Sequence, residues 1–171
     1  MIREFFMQTE RIGFSKWQEG DLTLAETLWG NQQVTQYICA SGKFSAQDIK
    51  NRLSKEITTG KTQNMEYWPI FEISTNEFIG CCPYKGKEYE TGIHLLPEFW
   101  GKGYASEALT AVIQYAFTML DAEKLFAGHN PKNINSRRLL NRLGFIYIGD
   151  EFYAPTGLYH PSYELKNNKK S

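Results

Sequence analysis

The feature that most constrains this chain is a glycine-punctuated junction, Phe99-Trp100-Gly101-Lys102-Gly103-Tyr104-Ala105-Ser106-Glu107-Ala108-Leu109, set between two different periodicities. Before it lies a short apolar run with strand character, Ile93 to Leu96. After it, Ala105, Ala108, Leu109, Val112, Ile113, Ala116, Phe117 and Leu120 recur at i, i+3, i+4 spacing. That ladder predicts a long helix with one buried face. The first turn of a helix has backbone N–H groups with no intrahelical acceptor, and the macrodipole places about half a positive charge there. Gly101 and Gly103 tolerate positive φ and let the backbone come close to a ligand. A phosphate or pyrophosphate therefore fits at Gly101, Lys102, Gly103, Tyr104, Ala105 and Ser106.

The same stretch excludes some phosphate binders. A P-loop needs Lys followed by Ser or Thr after a longer glycine spacing, whereas Lys102 precedes Gly103. A dinucleotide fingerprint matches loosely as Gly101-x-Gly103-x-x-Ser106. It requires the glycines directly after a strand and an acid closing the next strand. Here Pro97-Glu98-Phe99-Trp100 intervenes and the next strand ends in Gly128-His129. A nucleotide-binding oxidoreductase stays open on this stretch alone.

Composition narrows the class. A length of 171 residues predicts one domain, over residues 1–165, with a sizeable core; residues 166–171 read as a solvated tail. Nineteen basic residues balance nineteen acidic ones, so no overall charge favours nucleic acid or an anionic membrane. No apolar run approaches the roughly 20 residues of a membrane span, and Met1-Ile2-Arg3-Glu4 lacks the apolar segment of a signal peptide. The three cysteines are Cys39 and the adjacent pair Cys81-Cys82, whose side chains point to opposite faces of a strand. No disulfide is expected, and a reduced cytoplasmic protein fits best. His94, His129 and His160 have no acid or Cys partners at ligand spacing, so no metal is expected.

Along the chain, Thr9–Trp17 reads as a first strand. Asp21 reads as the cap of a helix carrying Leu22, Leu24, Ala25, Leu28 and Trp29. Ser45 and Asp48 form a capping box for a second helix that Gly60 ends. Strands follow at about 66–74, 77–84 and 89–96, the first two joined by a tight Thr75-Asn76 turn and the third bulged at Gly92. After the long helix come a strand at 124–129, a helix from Asn133 to Leu143 closed by Gly144, and strands at 145–150 and 159–166. The order β-α-α-β-β-β-α-β-α-β-β predicts an α+β fold, a mixed sheet of about seven strands around one parallel crossover.

Trp100-Gly101-Lys102-Gly103-Tyr104-Ala105-Ser106-Glu107-Ala108 resembles the acetyl-CoA loop of the GNAT N-acetyltransferases, Gln/Arg-x-x-Gly-x-Gly/Ala, with Trp100 in the first position as in the RimJ/RimL-like branch. Asn133-Ile134-Asn135-Ser136, followed by Leu143-Gly144-Phe145, resembles that branch's second signature. The resemblance spans nearly the whole chain and implies the GNAT fold, mostly antiparallel, with helices on both faces. In that fold the strand before the loop and the strand after the long helix splay apart, and acetyl-CoA enters the wedge between them. It implies that the backbones of His94, Leu95 and Leu96 pair with the pantetheine arm as an added strand would, that Asn133 contacts that arm, and that Ser136 lies near the thioester sulfur. A homodimer is a further expectation of the family.

The resemblance implies acetyl transfer to a primary amine by direct attack on the thioester. Proximity supplies about 7–11 kcal/mol of such a barrier, so a modest set of acid and base groups is enough. Many members place a tyrosine acid where this chain has Leu140; Ser136 is the candidate acid instead. Glu90 leads as the base, with His94 and Glu151 weaker candidates, and Phe152, Tyr153, Tyr159 and Tyr163 are candidates to wall the acceptor site. A protein N-terminus, a small amine, an amino acid and an antibiotic all stay open as acceptor. A non-catalytic acyl-CoA-binding module with the same fold is the alternative.

Overall fold

The computed structural model describes residues 3–63, 66–85 and 89–170. Strands β1 (Met7–Gln8) and β2 (Ile12–Phe14) precede helices α1 (Leu22–Trp29), α2 (Gln32–Thr35) and α3 (Ala46–Gln63). Next come β3 (Tyr67–Glu72), β4 (Phe78–Lys85), β5 (Glu90–Thr91) and β6 (His94–Leu95), then α4 (Tyr104–Thr118), β7 (Lys124–Gly128), α5 (Ile134–Arg142), β8 (Ile146–Tyr153) and β9 (Leu158–Lys166). The sheet runs β1-β2-β3-β4-β5-β7-β9-β8, with β6 paired to β4. Every pairing is antiparallel except β5 with β7, which brackets the crossover through α4.

The expected mixed, mostly antiparallel sheet is present, and among the described residues it has nine strands rather than about seven, because β1 precedes the first expected strand and the strand expected over 89–96 is split. Thr9–Trp17 is not one strand. Thr9 N–H donates to Ile12 O at 2.8 Å and its hydroxyl accepts from Ile12 N–H at 3.0 Å, folding residues 7–14 into the β1–β2 hairpin. The strand expected over 89–96 breaks at Gly92-Ile93 into β5 and β6. At Gly92 a Cβ would sit 2.4 Å from the Tyr67 hydroxyl.

Several helix and turn expectations also shift. Asp21 makes no side-chain cap on α1; its oxygens accept from Arg3, at 2.8 and 2.7 Å, and from the Gln18 N–H of the preceding 3-10 turn, at 2.8 Å. The Ser45–Asp48 capping box forms as expected. Gly60 does not end α3, which continues to Gln63. The glycine instead admits Glu66, whose Oε2 lies 1.5 Å from where a Cβ would be. The β3–β4 connection spans residues 73–77, with Asn76 at φ 60°, instead of a two-residue turn. Asn167, expected in a solvated tail, is buried, and its amide donates to Phe117 O and Ala122 O.

Two cores flank the sheet. On one face, Ala108, Leu109, Val112 and Ala116 of α4 and Leu140 of α5 pack on Ile12, Trp68, Tyr84 and Leu125. On the other, Ala25, Leu28 and Trp29 of α1 and Ile49 and Leu53 of α3 pack on Trp17, Tyr67 and Cys81. Among the described residues no helix is long and apolar enough to cross a membrane.

Candidate active site

The site begins where two strands part. β5 lies parallel to β7 with Glu90 beside Phe126. Among the described residues, the chain after Gly92-Ile93 pairs only with β4, Leu95 against Gly80 and His94 against Cys81. β7 turns to β9 instead. A wedge therefore opens between β6 and β7. Leu96 N–H donates to Ile79 O at 3.0 Å, so its hydrogen-bonding edge faces β4. Backbone groups alternate along a strand, so Leu95 presents its own to the wedge. Its carbonyl already accepts the Trp100 indole N–H at 2.9 Å. Of His94, Leu95 and Leu96, the Leu95 N–H is thus the group left for an added strand.

Beyond the wedge a 3-10 turn, Pro97–Phe99, leads into the glycine junction. Gly101 and Gly103 both occupy the left-handed region, at φ 71° and 83°. A Cβ at Gly101 would meet nothing within 4 Å, so conformation rather than space demands glycine there. Gly103 caps α4 without a side-chain hydrogen bond, and the first bond of the helix is Glu107 N–H to Gly103 O at 3.1 Å. The amides of Tyr104, Ala105 and Ser106 are therefore the orphan donors of the first turn.

A clamp that sequence reading missed fixes the junction. Arg11, in the β1–β2 turn, donates from Nη1 to Lys102 O at 3.0 Å and from Nε to Glu107 Oε1 at 2.8 Å, and its guanidinium lies 4.1 Å from the Tyr104 ring centroid. Glu107 also accepts from the Arg11 N–H and the Thr9 hydroxyl. Against the burial that opposes them, the bonds from Thr9 and Arg11 hold its carboxyl below the usual carboxylate range. Tyr104 donates its hydroxyl to Glu72. Its side chain thus ties the loop to β3 rather than facing a ligand. No local pattern announces Arg11, because it meets residues more than 90 positions away.

The second signature folds as expected. Asn133 caps α5, its Oδ1 accepting from Ser136 N–H at 3.3 Å, and Ser136 occupies the first turn, partly exposed. The loop before it is held by Asn130, whose side chain donates to Tyr37 O at 3.4 Å and accepts from Lys132 N–H at 3.0 Å. The α2–α3 connection also reaches the β8–β9 turn, through Ala40 N–H to Pro155 O at 2.7 Å.

The titratable candidates divide. Glu90 is partly exposed at the parallel end of the wedge strand, 3.9 Å from Lys85 Nζ, which also donates to the Tyr153 hydroxyl at 2.8 Å. His94 points to the α1–α3 side, where its Nδ1 accepts the Trp29 indole N–H at 3.1 Å. Burial, aided by Arg52 and Lys85, pushes its pKa well below the usual imidazole range. The neutral ring therefore carries its proton on Nε2, which leaves it no free basic nitrogen. Glu151 is exposed on the edge strand β8, opposite His160. Phe152 and Tyr159 pair edge-on at that exposed hairpin, Tyr153 packs on His160, and Tyr163 is buried against His129.

A strand pair splays beside a left-handed glycine junction, the arrangement that the resemblance to the GNAT N-acetyltransferases implies for the acetyl-CoA site. The chain belongs to the GNAT acetyltransferases: residues 11–146 match the Acetyltransferase (GNAT) domain. It is 28% identical over 144 residues to the uncharacterized N-acetyltransferase p20 of Bacillus licheniformis, covering 81% of each chain. A GNAT-family acetyltransferase structure from Bacillus anthracis superposes with a TM-score of 0.78 at 25% identity, over 95% of this chain and 98% of that one. RimL, a ribosomal-protein α-N-acetyltransferase solved with coenzyme A, shares the fold at TM-score 0.78 and 16% identity, over 95% of this chain and 98% of its own. The protein is an N-acetyltransferase with acetyl-CoA as co-substrate. The residues present fit that molecule, since orphan amides meet the positive φ of two glycines at the mouth of an open strand edge.

Proposed function

We propose that this enzyme transfers the acetyl group of acetyl-CoA to a primary amine, a protein N-terminus or a small amine, by direct attack on the thioester. The observation that carries the reading is the parting of β6 from β7 next to the Gly101–Gly103 junction. The amides of residues 103–106 hold the diphosphate, aided by the α4 dipole. The Leu95 N–H and the side-chain N–H groups of Asn133, which meet no acceptor among the described residues, position the pantetheine arm. Acetyl-CoA brings the activated acyl group; the protein orients it and moves protons. Glu90 takes the amine proton through water, and Ser136 supplies a proton to the departing sulfur.

Thiol release from acetyl-CoA, followed against a panel of primary amines and peptide N-termini, tests the reading. At least one acceptor should sustain turnover, and Ser136→Ala should lower kcat about 100-fold with little change in acetyl-CoA KM. Glu90→Gln should lower kcat about 10- to 100-fold with little change in acetyl-CoA KM. A non-catalytic module is the second reading. It draws on Leu140, which is buried in the core and offers no proton where relatives of the family carry a tyrosine acid. Acetyl-CoA binding without thiol release for any amine would establish it.

A further inference from the structure

β8 lies four places from β4 in the sheet order, yet the end of its hairpin with β9 reaches β4. Tyr153 and Leu158 form the last pair of that hairpin. Its tip is held to the α2–α3 connection by Ala40 N–H to Pro155 O at 2.7 Å. Tyr153 thereby meets Lys85, the last residue of β4 and 68 positions earlier. The Lys85 ammonium lies 4.9 Å from the Tyr153 ring centroid and donates to its hydroxyl oxygen at 2.8 Å. A lysine carries its charge on a flexible four-carbon stem; ring and hydroxyl together give this one a fixed place. Lys85 is also the cross-strand partner of Glu90. Residues opposite each other in an antiparallel pair share a face, and Nζ lies 3.9 Å from Glu90 Oε2. That separation is too long for a hydrogen bond, so the two charges face each other without closing. Each side chain is 42% exposed, which leaves both within reach of a molecule from solvent.

A fixed cation beside a carboxylate is matched to a molecule that carries the opposite pair. An ammonium group has three N–H donors. One goes to Tyr153, and two are left among the described residues. The Tyr153 oxygen accepts from Lys85, so its own O–H stays available as a further donor. His160 packs on the Tyr153 ring at 4.6 Å between centroids. It adds no charge at pH 7, because burial, aided by His129 and Lys85, lowers its pKa. We propose that Lys85 and Tyr153 bind a carboxylate of the acceptor, so that the amine this enzyme acetylates carries a carboxylate a few bonds away. Its source is the α-carboxylate of a free amino acid or an acidic side chain at the start of a peptide. The amine end turns to Glu90 and the carboxylate end to Lys85. The same ammonium repels a second cationic group, which disfavours polyamines and basic peptides. The inference rests on the reading in which Glu90 receives the amine proton, and it names the acceptor class that reading leaves open.

Steady-state thiol release from acetyl-CoA with two matched acceptor pairs tests it. One pair is alanine and alaninamide; the other is the C-terminally amidated dipeptides alanyl-aspartate and alanyl-asparagine. The first reports a free α-carboxylate and the second an acidic side chain. The wild type should prefer the carboxylate member of one pair by about tenfold in kcat/KM, counted per free amine. Lys85→Ala should lower kcat/KM for that member about tenfold, through KM, and much less for its amide partner. Each acceptor's own amine pKa is the same in every variant, so it cancels from the change in ratio. Lys85→Glu should turn the preference to the amide member, and Tyr153→Phe should keep the charge and lose part of the preference. In Lys85→Ala the acetyl-CoA Kd and the unfolding midpoint should stay at the wild-type values, because an exposed ion pair contributes little to stability. No carboxylate preference in either pair, or one that survives Lys85→Ala, overturns the proposal. A wild type that binds acetyl-CoA but releases no thiol with any primary amine removes the transfer reading itself, and this inference with it.

Discussion

The two faces of the sheet are held by different physics. Under α4 the core is dry: Ala108, Leu109, Val112 and Ala116 are at most 2% exposed and meet Ile12, Trp68 and Tyr84. Under α1 and α3 the core is threaded with charge. Arg52 lies between the Trp29 and Tyr67 rings, at 5.0 and 5.2 Å, and pairs with Glu56 at 2.7 Å. Glu56 also accepts the Tyr67 N–H at 2.8 Å, and Glu66 and His94 are further titratable groups in this half. The dry face is a rigid platform that fixes the glycine junction from below. The charged face meets the wedge strand through His94 and Cys81, on the side opposite the platform.

If that contrast holds, truncating an apolar side chain should cost most on the dry face. Leu109→Ala should destabilise by about 3 kcal/mol through lost burial and a cavity, read as a lower denaturant midpoint at unchanged slope. A loss under 1 kcal/mol would mean α4 is not the platform. On the charged face, breaking the pair should cost more than replacing it. Arg52→Ala leaves Glu56 buried without its cation and should cost about 2–3 kcal/mol. Arg52→Met with Glu56→Gln keeps an acceptor for Tyr67 N–H and should recover most of it.

At the junction between the faces, Gly103→Ala forces a side chain into φ 83° and should cost about 1–2 kcal/mol, together with a several-fold weaker affinity for acetyl-CoA. Gly101→Ala should cost a similar amount of stability, since space there is free and only the conformation objects. Equal affinity for acetyl-CoA in both variants and the wild type would break the link between backbone and ligand.

The smallest effect is a pH slope confined to the charged face. Burial, opposed by Lys16, raises the Glu66 carboxyl from 4.5 to about 7. Its contribution to stability is therefore full below about 4.5 and is lost as pH rises through 7. His94 acts in the opposite sense. Its folded pKa lies below 6.5, so acidification through 6.5 protonates the unfolded chain first and lowers stability. Glu66→Gln should steepen the loss of stability on acidification from pH 7 to 5, and His94→Gln should flatten it. Identical slopes in the two variants would show that these groups do not titrate as their surroundings dictate.

Much of this protein was legible from local pattern. The i, i+3, i+4 ladder of α4, the Ser45–Asp48 box and the Asn133 cap depend on residues within a few positions of one another, and each folds where the spacing places it. The two glycines of the junction are local for the same reason, because positive φ is a property of single residues. Elements set by distant partners were not legible. Asp21 leaves its cap for Arg3, Gly60 stays helical beside Glu66, and Asn167 is buried by contacts 45 and 50 residues away. The active site divides along the same line. Sequence determined the loop, the Asn133 and Ser136 turn and the family they imply. Only the tertiary structure decided that Arg11 clamps the loop and that Trp29 fixes the tautomer of His94. Such groups acquire their roles from neighbours that chain topology alone supplies, and a sequence read in short windows carries no record of them.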